Sequence, residues 1–207
     1  MQTIVFQGDS ITDAGRSYDN DEKRGIGYPL LVTAGLGFCE PQTYRCLNRG
    51  VSGDRIVDLY ARIKRDCINL RPDYLSILIG VNDVWHELGS QNGVATEKYE
   101  RIYRMMIDEI RAALPQVKIM ILEPYVTHGS ATDPQWDAFY GDVREHAAAA
   151  ERVAADNGIP FVPLQSVFDG ALEKAPATWW TQDGVHPTPY GHALIAKAWL
   201  KAFQAMQ

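Results

Sequence analysis

Residues 74–80, Tyr-Leu-Ser-Ile-Leu-Ile-Gly, form an almost uninterrupted apolar run that ends at a glycine. This pattern is typical of a strand that is buried on both faces of a parallel sheet, because a strand with one face in water alternates polar and apolar residues. Four further runs predict strands of the same sheet: Thr3–Phe6, Thr43–Asn48, Val117–Leu122 and Ile159–Pro163. The prolines at the edges of the last run place it at the rim of the sheet.

Helices are predicted between these strands, because apolar residues recur there every three or four positions. The predicted helices are Tyr28–Gly35, Arg55–Cys67, Thr96–Leu114, Trp136–Asn157, Gln165–Lys174 and Pro189–Phe203. Strands that alternate with helices predict the α/β class, with a five-stranded parallel sheet between two helical layers. No repeat or linker interrupts the pattern, so we expect a single domain over residues 1–207.

The charge balance limits the classes of partner. The 207 residues include 20 Lys and Arg against 26 Asp and Glu, which gives a formal net charge of -6. A negative chain repels nucleic acid and anionic lipid at long range. No stretch approaches the roughly 20 consecutive apolar residues that a membrane-spanning helix needs. We therefore expect neither nucleic acid nor a membrane as a partner.

The amino-terminal segment and the cysteines bear on location. Met1–Phe6 lacks the basic region and the long apolar region of a signal peptide. Cys39, Cys46 and Cys67 are an odd number without metal-ligand spacing, which argues against a disulfide framework. Both observations favour a cytoplasmic protein, while a signal peptide removed before residue 1 stays an open alternative.

Four polar turns that contain glycine lie at positions where a ligand site is expected. They are Gly8–Thr12, Asn48–Asp54, Gly80–Asp83 and Asp183–Pro187. The first three follow predicted strands, and the fourth precedes the last helix. Ligands of open parallel sheets bind at the carboxyl ends of the strands. We therefore expect the four turns to meet at one edge of the sheet.

Three residues in these turns have the chemistry of nucleophilic catalysis. A hydroxyl nucleophile needs a base within hydrogen-bond reach, and the base needs an acceptor that orients it. Ser10 can be the nucleophile and His186 the base. Asp183 lies three residues before His186, so its carboxylate can reach the imidazole.

Attack on an ester also places negative charge on the carbonyl oxygen, which needs preorganised donors. The backbone N–H of Ser10 is one candidate, because it heads a predicted helix. The backbone N–H of Gly53 and the side-chain amide of Asn82 are two more. Together these groups predict an acyl-transfer site with a three-donor oxyanion hole.

Other residues of the four turns are assigned supporting roles. Gly8 and Gly53 are predicted to allow close approach of the backbone, because neither has a Cβ. Asp9 is predicted to be a structural hydrogen-bonding group, and Asp83 is predicted to brace the turn that contains Asn82.

Trp85, Trp179 and Trp180 are the predicted substrate-binding residues, because aromatic faces can stack on sugar rings. A core or interface position is the alternative for each of them, and an interface would imply a homo-oligomer. No metal site is predicted, since the chain has no His-x-His pair and no spaced ligand set.

The four turns resemble, in the same order, the four sequence blocks of the SGNH (GDSL) hydrolase superfamily. The matching residues are Gly8-Asp9-Ser10-Ile11-Thr12, the turn at Gly53, Gly80-Val81-Asn82-Asp83 and Asp183-x-x-His186. The resemblance implies a flavodoxin-like three-layer α/β/α sandwich, and it implies no metal or organic cofactor. It also implies a Ser10-His186-Asp183 triad and an oxyanion hole made by Ser10, Gly53 and Asn82.

A closer resemblance concerns the bacterial acetylxylan-esterase branch of this superfamily. Residues 11–16 (Ile-Thr-Asp-Ala-Gly-Arg), 71–73 (Arg-Pro-Asp), 77–85 (Ile-Leu-Ile-Gly-Val-Asn-Asp-Val-Trp) and 185–188 (Val-His-Pro-Thr) are similar to it. One departure is Trp-Trp-Thr-Gln at residues 179–182, because that branch usually has a tryptophan directly before the triad aspartate. The resemblance implies a serine esterase that removes O-acetyl groups from xylan or xylo-oligosaccharides.

Three other functions are open at this point. A lysophospholipase or thioesterase on the same scaffold would act on a longer acyl chain. A metal-dependent phosphoesterase would use the aspartates of the turns as ligands. A sugar-binding module without catalysis would bind an oligosaccharide and hydrolyse nothing.

Overall fold

A computed structural model of the chain, which describes all residues from 1 to 207, has a five-stranded sheet with every strand parallel. The strands are β1 (Gln2–Gly8), β2 (Tyr44–Asn48), β3 (Tyr74–Leu78), β4 (Lys118–Leu122) and β5 (Phe161–Val162). Their order in the sheet is β2-β1-β3-β4-β5. The predicted α/β class, the five parallel strands and the rim position of the last strand are confirmed.

Six of the nine helices lie between consecutive strands, and the last three follow β5. The helices are α1 (Ser10–Asp13), α2 (Tyr28–Cys39), α3 (Ile56–Asp66), α4 (Val81–Ser90), α5 (Thr96–Ala113), α6 (Trp136–Asp156), α7 (Leu164–Leu172), α8 (Ala177–Trp180) and α9 (Pro189–Gln204). Short 3-10 turns lie at Ile68–Leu70 and Asp133–Gln135. None of these helices is long and apolar enough to cross a membrane.

The strand β3 separates two apolar cores. Tyr74 and Leu78 belong to the core that packs against α2, α7 and α9, whereas Leu75 and Ile77 belong to the core against α3, α5 and α6. The only polar residue of the strand, Ser76, faces the first core and accepts a hydrogen bond from the Trp199 indole N–H at 2.9 Å. A buried hydroxyl is therefore tolerated because it has a partner.

The structure differs from the predicted elements in three places. The helix α2 continues to Cys39 instead of ending at Gly35, and Gly35 packs close to Leu200 of α9. The strand β5 has only two residues, because Pro160 and Pro163 flank it and proline has no N–H for the ladder. The helix α4 (Val81–Ser90) was not predicted; it begins within the predicted turn Gly80–Asp83, and its apolar residues recur at helical spacing.

Candidate active site

Ser10 lies at the carboxyl end of β1, where it is the first residue of α1. The turn before it is tight, because a Cβ on Gly8 would collide with the Thr12 side chain and the Leu78 carbonyl. Asp9 caps the helix, with its Oδ1 accepting a hydrogen bond from the Ile11 N–H at 2.9 Å. The close approach predicted for Gly8 and the structural hydrogen bond predicted for Asp9 are confirmed.

The structure brings Ser10, His186 and Asp183 together. Ser10 Oγ lies 2.9 Å from His186 Nε2, and His186 Nδ1 lies 2.7 Å from Asp183 Oδ2. The other carboxylate oxygen, Asp183 Oδ1, accepts hydrogen bonds from the Val185 and His186 backbone N–H groups. The loop is therefore folded around the carboxylate, which fixes the imidazole in line with the hydroxyl.

The charges of this loop favour a basic imidazole beside a permanently ionised carboxylate. The hydrogen bond to Asp183 raises the pKa of His186, and burial of the ring opposes that shift. Burial raises the pKa of Asp183, but the hydrogen bonds from His186 and Val185 outweigh it and lower that pKa to about 2. At neutral pH the carboxylate can stabilise an imidazolium.

Two backbone N–H groups of the predicted turns are available as donors. The Gly53 N–H makes no hydrogen bond within the protein, and Gly53 has φ +86. Space is open where its Cβ would lie, so the left-handed backbone explains this glycine within the protein, and the close approach to a substrate stays a prediction. Ser10, as the first residue of α1, has an N–H that no carbonyl of its own helix can satisfy.

The side-chain amide of Asn82, which the sequence predicts as a third donor, is fixed in its orientation. Its Nδ2 donates one hydrogen to the Asp54 carbonyl at 3.0 Å, which leaves the second hydrogen of the amide available. Asn82 is buried in the first turn of α4. The bond also ties α4 to the turn that contains Gly53.

Buried carboxyl groups support these donors. Asp83 accepts from the Ile56 N–H at the start of α3, so it holds the turn that contains Asn82 against α3, and its predicted bracing role is confirmed. Burial raises the pKa of Asp83 well above its usual range, and it raises the pKa of Asp9 to about 7. The Oδ2 atom of Asp9 is buried without a hydrogen-bond partner.

One supporting residue was missed by the sequence analysis. The Arg62 guanidinium donates to Asp54 Oδ2 at 2.6 Å, to the Arg49 carbonyl at 2.7 Å and to the Gly8 carbonyl at 3.1 Å. It thereby joins the turns after β1 and β2 to α3. Nothing in the helical spacing around Arg62 indicates this role, because its partners are distant in the sequence.

The three predicted substrate-binding tryptophans lie in different environments. The ring of Trp85 is half-buried, with its centroid 5.7 Å from that of His186. Trp180 packs against the apolar core and donates its indole N–H to the Ala175 carbonyl. Trp179 is exposed and stacks on Tyr190, with ring centroids 4.4 Å apart.

A small cleft opens beside the serine and the histidine. It has a volume of about 200 Å³ and is lined by Ser10, His186, Ile26, Gln182, Pro187 and Pro189, among others. No group of three or more His, Cys, Asp or Glu side chains in the chain is arranged to hold a metal ion.

Comparison with known proteins gives consistent matches over nearly the whole chain. The profile of the GDSL-like lipase/acylhydrolase family matches residues 6–194. An acetylxylan esterase from Geobacillus stearothermophilus is 31% identical over 210 residues, which cover 97% of this chain and 93% of that protein.

Solved structures match equally well. A protein named a GDSL-like lipase from Parabacteroides merdae superimposes with a TM-score of 0.91 at 37% identity, covering 98% of this chain and 95% of that one. LAE5, an α/β hydrolase enzyme from the Lake Arreo metagenome, superimposes with a TM-score of 0.88 at 31% identity, and the match covers 100% of this chain and 96% of that one. The acetylxylan esterase Axe2 from Geobacillus stearothermophilus superimposes with a TM-score of 0.85 at 29% identity, and the match covers 97% of this chain and 93% of that one.

Proposed function

The chain belongs to the GDSL-like lipase/acylhydrolase family and is a carboxylic-ester hydrolase, and we propose that it removes O-acetyl groups from xylan or xylo-oligosaccharides. The observation that carries the proposal is the continuous hydrogen-bond chain from Ser10 through His186 to Asp183. The similarity to an acetylxylan esterase supports this substrate class.

In the proposed first step, Ser10 Oγ attacks the acetyl carbonyl carbon while His186 Nε2 takes the hydroxyl proton. The 2.9 Å separation of these two atoms already suits that transfer. The imidazolium that forms is stabilised by the Asp183 carboxylate at 2.7 Å. A tetrahedral intermediate results, with one covalent bond to Ser10.

The negative oxygen of this intermediate is proposed to lie among three donors: the Ser10 N–H, the Gly53 N–H and the Asn82 amide. The hydrogen bond from Asn82 to the Asp54 carbonyl holds the amide in place before the charge develops. Donors that need no reorganisation lower the barrier most, because they do not have to be aligned during the reaction.

The intermediate then collapses. His186 Nε2–H gives its proton to the sugar oxygen, the bond between that oxygen and the acetyl carbon breaks, and acetyl-Ser10 remains. Water attacks this ester with His186 again as base. Acetate leaves and the Ser10 hydroxyl is restored.

The cleft favours a short acyl group over the lysophospholipase or thioesterase alternative. Its volume is only about 200 Å³. A larger and mostly apolar groove, about 510 Å³, lies along β5, α7 and α9, and it shares no lining residue with the cleft at Ser10. A long acyl chain would therefore have no continuous apolar channel from the serine.

Acetate release from a panel of acetylated xylo-oligosaccharides tests the proposal, together with hydrolysis of p-nitrophenyl acetate, butyrate and octanoate. We expect acetate release by the wild type, a preference for the acetate among the aryl esters, and no activity in Ser10→Ala. Ser130→Ala, which changes an exposed serine, is the matched control and should retain full activity.

Each alternative has its own outcome. Preference for octanoate would favour the longer-acyl hydrolase. Activity that EDTA abolishes would contradict the serine mechanism. Oligosaccharide binding without any turnover by the wild type would identify a binding module.

A further inference from the structure

The exposed pair formed by Trp179 and Tyr190 is the strongest unassigned feature near the proposed site. The two rings are nearly parallel, at 10°, with centroids 4.4 Å apart. They expose 47% and 51% of their surface, and the only other exposed aromatic side chains of the chain are Tyr18 and Phe38. Flat aromatic surfaces of this kind bind partners with an apolar face.

The backbone holds this pair firmly. Thr188 donates its hydroxyl to the Trp179 carbonyl at 2.7 Å and its N–H to the Trp180 carbonyl at 2.9 Å. Next along the chain, a Cβ on Gly191 would collide with the Trp180 carbonyl, so the two segments pack without a gap. A surface that is rigid before binding loses little entropy when a ligand stacks on it.

The proposed chemistry places the leaving group on this side of the cleft. His186 Nε2 must reach the departing sugar oxygen to protonate it, so the sugar has to lie against the segment that contains His186. Pro187 and Pro189 of that segment line the cleft. Tyr190 follows Pro189 directly, and its partner Trp179 lies four residues before Asp183.

We propose that Trp179 and Tyr190 form a sugar-binding subsite, which holds a pyranose ring of the leaving group one or more units beyond the sugar that carries the acetyl ester. The C–H face of the pyranose would stack on the aromatic surface. This inference rests on the proposed function, and it assigns to the same site a preference for oligomers over single sugars.

The size of the surface favours a sugar over a second copy of the chain. Aromatic side chains bury about 150–250 Å² each when covered, so two half-exposed rings offer roughly 200 Å². A stable protein interface needs about 800 Å² on each partner. The pair is therefore large enough for one or two sugar rings and too small for a dimer contact of its own.

The test compares kcat/KM for acetate release from acetylated xylose and acetylated xylotetraose in the wild type, Trp179→Ala, Trp179→Phe and Tyr190→Ala. We expect the wild type to prefer the tetraose. In each alanine variant kcat/KM for the tetraose should fall roughly three- to tenfold, mainly through a higher KM, because the binding energy of one aromatic contact corresponds to a change of that size. Trp179→Phe, which keeps an aromatic ring, should retain most of the wild-type kcat/KM.

Two controls make the loss specific. Hydrolysis of p-nitrophenyl acetate, whose leaving group has no further sugar ring, is measured for all variants, and we expect a smaller loss there than on the tetraose. Phe38→Ala removes another aromatic ring, which is 88% exposed at the end of α2, and should not change kcat/KM for acetylated xylose or acetylated xylotetraose.

Equal losses on xylose, tetraose and aryl acetate would overturn the subsite and indicate a structural role. A wild type without preference for the tetraose would also overturn it, as would sedimentation that shows a dimer dissociated by Trp179→Ala. If the wild type releases acetate from no sugar, the proposed function fails. Calorimetry of Ser10→Ala with unacetylated xylotetraose then decides the subsite separately, and Trp179→Ala in that background is expected to weaken the binding roughly three- to tenfold.

Discussion

Two groups of residues proposed to act on the ester are built in different ways. The first, called the donor wall, consists of Gly53 and Asn82 with the groups that hold them. The second, called the histidine wall, is the loop from Asp183 to Tyr190. The donor wall depends on buried contacts between distant elements, such as Asp83 with the start of α3. The histidine wall depends on hydrogen bonds within a short stretch of chain.

This difference separates what each wall can do. Donors anchored by several secondary-structure elements cannot adapt, which suits the fixed geometry of a developing oxyanion. A loop that is fixed by its own hydrogen bonds can differ in its side chains without disturbing the sheet. We therefore expect changes in the donor wall to alter rate and stability, and changes at the outer end of the histidine wall to alter substrate choice.

The largest predicted effect is at the inner end of the histidine wall. In Asp183→Asn the imidazole loses the carboxylate that orients it and raises its pKa, so kcat should fall roughly 10³- to 10⁴-fold. The base must be neutral to act, so activity rises as pH increases through the pKa of His186. That rise should move to lower pH in the variant, as a pH–rate profile on p-nitrophenyl acetate can measure.

Asp137→Asn, which changes an exposed aspartate of α6, is the matched control. An unshifted pH profile in Asp183→Asn would show that the carboxylate does not govern the base.

Removal of Arg62 should produce the next largest effect, now on the stability of the donor wall. Arg62→Met leaves the Asp54 carboxylate and two backbone carbonyls without their shared donor. Breaking a largely buried ion pair by removing one partner typically costs about 3–5 kcal/mol. Urea unfolding should show a decrease of this order in the free energy of unfolding.

Arg101→Met, on the exposed face of α5, should leave the free energy of unfolding within about 0.5 kcal/mol of the wild type. Equal stability of the two variants would mean that Arg62 does not hold the turns together.

Asn82→Ala tests the donor wall directly. Loss of one oxyanion donor should reduce kcat roughly 10²- to 10³-fold while KM changes little, because the bond strengthens only in the transition state. Steady-state kinetics on p-nitrophenyl acetate measures both constants, with Asn20→Ala as a surface control. A change confined to KM would place Asn82 in ground-state binding and not in the oxyanion hole.

The smallest effect concerns Asp9, next to the nucleophile. Burial raises its pKa from 3.8 to about 7, so the folded state binds more protons than the unfolded state between about pH 4 and pH 7. This group therefore lowers the free energy of unfolding as pH rises through that window. Asp9→Asn can still accept the Ile11 N–H but cannot ionise.

We compare the free energy of unfolding of Asp9→Asn with that of the wild type at each pH. The difference should favour the variant more at pH 8 than at pH 5, by about 1 kcal/mol or more. Chemical denaturation at both pH values measures the difference. Parallel profiles for the two proteins would show that the Asp9 carboxyl does not titrate in this window.

Sequence patterns predicted the sheet, because residues 74–79 and the other apolar runs are local features that need no knowledge of distant partners. The triad residues could also be predicted, because their types and their positions in polar turns at the ends of predicted elements already indicate the chemistry. The structure brings Ser10, Asp183 and His186 together. The donor wall was predicted less completely. The role of Arg62 and the contact of Asp83 with α3 depend on residues far away in the sequence, and no local spacing reveals them.

The distinction between the tryptophans also needed the tertiary structure. The sequence treats Trp179 and Trp180 as equivalent neighbours, but consecutive side chains at the end of α8 point in different directions. Trp180 meets the core, while Trp179 meets Tyr190 at the surface.

In the proposed mechanism the acetyl group is transferred from the sugar to Ser10 and then to water. Rapid acid quench of the wild type during turnover of acetylated xylotetraose, followed by peptide mass spectrometry, tests it most directly. We expect one acetyl group on the peptide that contains Ser10 in the wild type and none on that peptide in Ser10→Ala. Acetate release at full rate from Ser10→Ala, or an acetyl group on another residue that turns over at the catalytic rate, would contradict it.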